Sequence, residues 1–291
     1  MSATILDGKA VAKTMQGELD AAVAEFKTAS GVTPTIAVVR AGEDPGSVWY
    51  ANAIKKTMAA RGMEAQLHVL PETASQAELV ALVARLNEDP TVHGIMVQEP
   101  MPKGIDEDAV KAALSPIKDV DGVHEVNAGR LALAAPAGRP AGVGPFFVPA
   151  TPAGGMELMR RSGVTLAGQN AVVLGRSAIV GKPMALLLMR ENATVTVCHS
   201  RSKDLAGICR SADILCVAVG RAAMVKGDWI NPGGVVVDFG VNDVDGKMVG
   251  DVAYEEACQV AGMITPVPGG TGPMTNVMLC QNVLEAARLQ V

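Results

Sequence analysis

The stretch AVVLGRSAIVGKPMALLL, residues 171–188, runs from an apolar strand pattern through a glycine-rich turn into an apolar helix pattern. Its small residues Gly175, Ser177 and Gly181 are spaced 1-3-7, not the 1-3-6 of the usual dinucleotide fingerprint. The physical logic survives the change. Gly175 permits a tight turn, small Ser177 lets a phosphate approach the backbone, and Gly181 opens a helix whose first amides favour an anion. A glycine turn alone is a weak signal, because many α/β proteins need one merely to turn the chain. Its place between a strand and a helix raises it above that reading.

Working outward, further strand patterns follow at 193–197 (ATVTV), 213–219 (DILCVAV) and 234–240 (GVVVDFG), with helical patterns between them. The first half alternates in the same way. Residues 35–40 (TIAVVR), 66–70 and 94–98 read as strands; 47–61 and 75–87 read as helices, the first capped by Ser47. Such alternation predicts parallel sheets with helices on their faces, hence an α/β fold. The prolines of PMPK, residues 100–103, require a rigid loop. A Gly/Pro/Ala-rich stretch at 135–154 reads as a linker, and 275–289 as a terminal helix able to pack back on the first domain. The expected division is residues 1–147 plus 275–291 as a substrate domain, and 148–274 as a Rossmann-like domain.

Bulk properties narrow the function. The 291 residues suffice for two cores, and the 49% apolar content with 3% aromatics predicts packed aliphatic layers. A net charge of −5 without a Lys/Arg cluster argues against nucleic acid as a partner. No apolar run reaches the ~20 residues of a membrane span, and the N-terminus lacks a signal-peptide pattern. Five cysteines (Cys198, Cys209, Cys216, Cys258, Cys280) without CxxC spacing read as reduced thiols, so a cytoplasmic location is expected. The four histidines are scattered, and no metal site is expected. After the strand ending at Cys198, where an NAD site would place an acid on the ribose, the chain reads His199, Ser200, Arg201, Ser202. A cation with hydroxyls suits the 2′-phosphate of NADP, with Arg176 as a second fork. A solvated polar loop is the plainer reading of Arg201.

Taken together, GEDPGSVWY (42–50), GIMVQEPMP (94–102), PIKDVDGVHEVNAGRL (116–131), FVPATPAG (147–154), VVLGRSAIVGKP (172–183), TVCHSRS (196–202) and TPVPGGTGPMT (265–275) span nearly the whole chain. Through them the sequence resembles the bifunctional methylenetetrahydrofolate dehydrogenase/methenyltetrahydrofolate cyclohydrolase family. The resemblance implies a one-carbon folate enzyme, cytoplasmic and homodimeric through its cofactor domain. It implies a folate in a cleft between the domains, and NADP on Gly175, Arg176, Ser177, Gly181, Lys182, Pro183 and the His199–Ser202 segment. Tyr50 then lines the folate site beside the reacting carbon, Gln98 ends the VQ-x-P strand, and Asp121 of KDVDG holds the pterin. Pro268, Gly269 and Gly270 match a loop that closes over substrate and nicotinamide. Alone, a helical Tyr is more often core and an Asp before Gly more often a turn former; the constellation outweighs both.

Three positions depart from the family pattern. Its lysine four residues after the tyrosine is Ile54 here, Glu99 replaces an aliphatic residue, and Ala150 replaces the cysteine of PCTP. Lys55 and Lys56 sit about 140° and about 120° around the helix from Tyr50, on opposite sides. Hydride transfer needs placement more than proton transfer, whereas the cyclohydrolase step needs an acid–base group, which isoleucine is not. The sequence therefore predicts a dehydrogenase with doubtful cyclohydrolase activity and Glu99 as one candidate replacement. The alternatives are a fully bifunctional enzyme using another group, and a non-catalytic folate- or nucleotide-binding relative.

Overall fold

A computed structural model describes residues 2–139 and 142–291. The chain forms two compact units, one made of Met1–Thr14, Leu131–Gly144 and Pro149–Met278, the other of Met15–Arg130, Pro145–Val148 and Leu279–Val291. Both are α/β. Among the described residues, no helix is long and apolar enough to cross a membrane.

In the first unit β9 (Asn242–Val244) and β10 (Lys247–Val249) form a separate antiparallel hairpin, and the remaining strands are β1 (Thr4–Ile5), β5 (Asn170–Leu174), β6 (Thr194–Cys198), β7 (Ile214–Val217), β8 (Val235–Asp238) and β11 (Met263–Ile264). They form one sheet in the order β1-β11-β8-β7-β5-β6, every pair parallel. The chain steps outward from β5 to β6, then returns past β5 to β7. That reversal opens a crevice at the carboxyl ends of β5 and β7, where doubly wound sheets bind ligands. Val172, Leu174, Leu215, Val217 and Val236 fill the core of this unit, as near-continuous apolar strands covered on both faces require.

The second unit centres on β2 (Thr35–Ala41), flanked by β3 (Glu64–Leu70) and β4 (Gly94–Val97), again all parallel. Helix α2 (Pro45–Ala60) is started by the Asp44 side chain, which accepts the Ser47 N–H at 2.9 Å, with Pro45 in the first turn. Asp44, not Ser47, is thus the cap; Ser47 is buried one turn inside. α3 (Gln76–Glu88) carries a capping box between Ser75 and Glu78, and α4 (Glu107–Ala112) starts on Asp106.

The expected division differs from these units at residues 1–14, 131–144, 148 and 275–278. Residues 1–14 belong with the six-stranded sheet because β1 pairs with β11, and residues 131–144 also fold with that unit. In the expected linker, Ala137 N donates to Arg190 O and Arg190 Nε to Ala135 O. Pro140 and Ala141 of that stretch lie outside the described residues. The terminal helix α10 (Thr271–Arg288) starts four residues earlier than expected, and its residues divide between the units at 278/279. A helix the pattern reading passed over, α1 (Gly8–Ser30), fills the N-terminal region.

Candidate functional site

In the first unit, β5 ends at Leu174 and the chain turns at Gly175, whose φ is +125°. A Cβ there would stand 2.1 Å from Ala218 O, and one at Gly181 would stand 2.4 Å from Gly175 O. Both glycines are therefore demanded by backbone packing. Ser177 does more than stay small. Its hydroxyl accepts N–H bonds from Val180 (3.2 Å) and Gly181 (3.3 Å), and its carbonyl accepts from Lys182. The first amides of α7 (Gly181–Arg190) are thereby engaged within the turn. This corrects the expected open amide cradle: Ser177 shapes the loop, and positive charge falls to side chains beside it.

A pocket of about 210 Å³ opens at the carboxyl ends of β5, β6 and β7, and its wall includes Arg176, His199, Ser200 and Arg221. Gly175 is on the wall; Lys182, Pro183, Arg201 and Ser202 are not. Pro183 is buried in α7 and Lys182 is exposed. Ser202 Oγ accepts from His199 N at 3.0 Å, and His199 Nδ1 accepts from Arg201 N at 3.2 Å, so both residues close the loop that presents His199 and Ser200.

Arg221 and its support were missed in the sequence. Asp251, fully buried, accepts N–H bonds from Val219 (2.6 Å), Gly220 (2.8 Å) and Arg221 (2.8 Å) and from Asn242 Nδ2 (2.9 Å). Asp238 at the end of β8 in turn accepts from Gly240, Asp251 and Val252 N–H groups. Burial raises its carboxyl to about 6, against the pull of those three bonds. The available signal was position alone: Arg221 follows a parallel strand at its carboxyl end. In the same unit, Gly269 O accepts from Lys9 N, and a Cβ on Gly8 would stand 1.7 Å from Gly270 O. The Pro268–Gly270 loop thus packs on the start of α1 and leads into α10.

In the second unit, Ser47, Ala51, Ile54 and Met58 form the buried stripe of α2, and Tyr50 is partly exposed beside it. Ile54 is 2% exposed, while Lys55 and Lys56 face solvent. Burial, then the charge of Asp121, then Cys280, push the Tyr50 hydroxyl up to about 12. Gln98 is buried just beyond β4, and neither amide atom has a hydrogen-bond partner among the described residues. An orphaned buried amide costs about 1–3 kcal/mol, so a polar ligand that satisfies it is the natural complement.

Within KDVDG the labour is divided. Lys118 Nζ donates to the carbonyls of Leu86 and Asp89, and fully buried Asp119 accepts from Val123 N, His124 N and Asn127 Nδ2. These bonds brace the loop against β4, where a Cβ on Gly94 would stand 2.5 Å from Val120. Asp121 is left without a hydrogen-bond partner among the described residues. Burial foremost, with Asp119 and Glu99 adding and Lys111 opposing, raises it to about 7. Glu99, one candidate replacement for the missing acid–base group, is ion-paired with Lys111.

One unit carries a cationic pocket at the switch point of a doubly wound sheet, and the other, also α/β, carries a cluster of buried polar groups; together they define the class of nucleotide-dependent two-domain enzymes. Residues 6–121 match the catalytic domain of tetrahydrofolate dehydrogenase/cyclohydrolase, and residues 149–291 match its NAD(P)-binding domain. The bifunctional protein FolD of Roseiflexus sp. (strain RS-1) is 50% identical over 292 residues, covering 100% of this chain and 98% of its own. The structure is similar to FolD methylenetetrahydrofolate dehydrogenase/cyclohydrolase of Campylobacter jejuni, with a TM-score of 0.94, 39% identity and full coverage of both chains. It is also similar to the Trypanosoma brucei enzyme complexed with NADP cofactor and inhibitor, with a TM-score of 0.91, 39% identity, and coverage of 99% and 98%. The chain belongs to the tetrahydrofolate dehydrogenase/cyclohydrolase family and is an enzyme of one-carbon folate metabolism.

Proposed function

We propose that this enzyme oxidises 5,10-methylenetetrahydrofolate to 5,10-methenyltetrahydrofolate with NADP. The observation that carries the reading is the pairing of a cationic nucleotide pocket in one unit with an unsatisfied polar cluster, Gln98 and Asp121 beside Tyr50, in the other. Bound NADP supplies a nicotinamide that accepts the hydride. The chain's residues supply placement and charge. Gln98 offers a donor and an acceptor to the pterin, and Tyr50 lines the ring. Ionised Asp121 stabilises positive charge as the methenyl cation develops. In the other unit, Pro268, Gly269 and Gly270 form the loop assigned to closing over substrate and nicotinamide.

Arg176, Ser200 and Arg221, on the pocket wall, would hold the 2′-phosphate of NADP, and Arg201 supports the loop through its N–H bond to His199 Nδ1. The KM for NADP should lie clearly below that for NAD, and Arg176→Ala should raise the NADP value roughly tenfold or more while sparing NAD. Equal KM values for the two cofactors in the parent enzyme would overturn this assignment.

The second activity rests on different chemistry. Water must add to the methenyl carbon and a proton must move as the ring opens. Close relatives are named bifunctional, and nothing in their likeness supports a loss; the doubt rests on Ile54 alone. Ile54 is buried on the Tyr50 helix, Lys55 and Lys56 face away, and Tyr50 is raised far from neutrality. Enzymatic loss of methenyltetrahydrofolate should therefore be slow over the solvent background, and Ile54→Lys should accelerate it. Rapid hydrolysis by the parent, unchanged in Ile54→Lys, would favour the bifunctional alternative.

The enzyme acts as a cytoplasmic homodimer in this reading. β6 is an edge strand, and Val197 on it and Met189 on α7 are 42% and 49% exposed, an apolar edge that a second copy would cover. Sedimentation should give a dimer that Val197→Lys weakens; a monomeric parent would refute it. The five cysteines are free and buried, which suits a reducing compartment.

A further inference from the structure

His199 opens the segment after β6, and its place is fixed from several sides. Cys198 before it is buried in the core, and Cys198 O accepts from Gly175 N at 2.9 Å, which ties the strand end to the glycine turn. His199 N donates to Ser202 Oγ at 3.0 Å, and His199 O accepts from Ser202 N at 2.8 Å. The ring is fixed as well, because its Nδ1 accepts from Arg201 N at 3.2 Å. Of the four polar atoms of His199, only Nε2 has no hydrogen-bond partner among the described residues.

An imidazole nitrogen that accepts an N–H bond carries no proton. In the neutral ring the proton is therefore on Nε2, and that free atom is a donor. His124 makes the same bond, to Val126 N, but is buried, so the bond alone marks a loop device and not a site. His199 differs in being half-buried and on the wall of the pocket of about 210 Å³, together with Arg176, Ser200 and Arg221. Two guanidinium groups and a hydroxyl suit an anion there. A phosphate monoester brings three acceptor oxygens, enough to engage a further N–H donor beside them.

We propose that His199 is a specificity-determining residue of the cofactor site, donating its Nε2–H to the 2′-phosphate of NADP. This rests on the reading of the pocket as the 2′-phosphate site. The loop and the cofactor use different ring atoms. The bond from Arg201 N to Nδ1 holds the ring in the tautomer that can donate outward, and Nε2 supplies the donor. NAD offers only a hydroxyl at that position, a weaker acceptor than a charged phosphate, so the ring favours NADP.

The two ring atoms can be tested apart. Asparagine keeps an acceptor near the Nδ1 position and loses the outer donor; glutamine carries an N–H out to the Nε2 position and lacks the inner acceptor. The measurement is the dissociation constant of the full chain for NADP and for NAD, by calorimetry. His199→Asn should weaken NADP by roughly tenfold or more and leave NAD within about threefold of the parent, whereas His199→Gln should keep most of the preference for NADP. A ring that only closed the loop would give the reverse order, Asn harmless and Gln damaging, and that order would overturn the proposal. So would a loss in His199→Asn shared equally by the two cofactors. If His199→Gln does not fold, nitrogen-15 spectra of the parent decide. The Nε2–H signal, assigned by its loss in His199→Asn, should shift with NADP and stay in place with NAD; no shift with NADP would refute the donor. A parent that binds NADP no more tightly than NAD would instead refute the reading of the pocket on which the proposal rests.

Discussion

Asp121→Asn should cut methylenetetrahydrofolate oxidation by about 10²-fold or more and flatten its dependence on pH. The step turns a neutral substrate into a delocalised cation, and removing a preorganised charge from such a site costs on that order. The parent rate should rise as pH passes about 7, where Asp121 ionises in the folded protein, and the Asn variant has nothing to ionise there. Stability should move the opposite way. The folded carboxyl is raised to about 7 from an ordinary value of 3.8, so between those values the folded chain holds a proton that the unfolded chain has lost. Stability is therefore fully present below the lower value and declines as pH rises towards the upper one. At pH 8 the Asn variant should be the more stable protein, by on the order of 2–4 kcal/mol, with the gap closing near pH 4. An Asn variant that is both active and no more stable at pH 8 would contradict the role given to Asp121.

Gly175→Ala should all but abolish NADP binding, with affinity lower by about 10²-fold or more, and should lower the melting temperature. At φ +125° an alanine is strained by about 1–3 kcal/mol before packing is counted. Its Cβ would then stand 2.1 Å from Ala218 O, a backbone atom at the end of β7 that cannot swing aside. Relief requires prising apart the ends of β5 and β7, which form the pocket. Gly17→Ala is the control, because nothing lies within 4 Å of its added methyl in α1; it should leave NADP affinity unchanged and stabilise by under about 1 kcal/mol. An NADP dissociation constant within threefold of the parent in Gly175→Ala would remove the turn from the cofactor site.

The alternation of apolar strands and helices was legible because fully buried parallel strands read as short unbroken apolar runs, as at 171–174 and 234–237. The two-residue strand β1 was not, because two residues carry no period, and its pairing with β11 joins positions some 260 residues apart. The glycine turn announced itself, but the use of the Ser177 hydroxyl did not, since its partners depend on the path of the loop. KDVDG shows the same limit. Its residue types point to a site, yet only coordinates separate Lys118 and Asp119, which brace the loop, from Asp121, which is left unpartnered. Asp251 reads as an ordinary acid between strands, although four hydrogen bonds make it the support of the pocket wall. Glu99 was visible as a departure from the family pattern. Its partner was not, because Lys111 comes from another element and no local spacing links the two.

The most direct test mixes purified enzyme with 5,10-methylenetetrahydrofolate and NADP and follows the absorbance of methenyltetrahydrofolate and NADPH together. The account predicts that both products appear in equal amounts in the first turnovers, faster with NADP than with NAD. It also predicts that the signal is lost in Asp121→Asn and Gly175→Ala. Absence of methenyltetrahydrofolate and NADPH in a folded parent enzyme that binds NADP would contradict it.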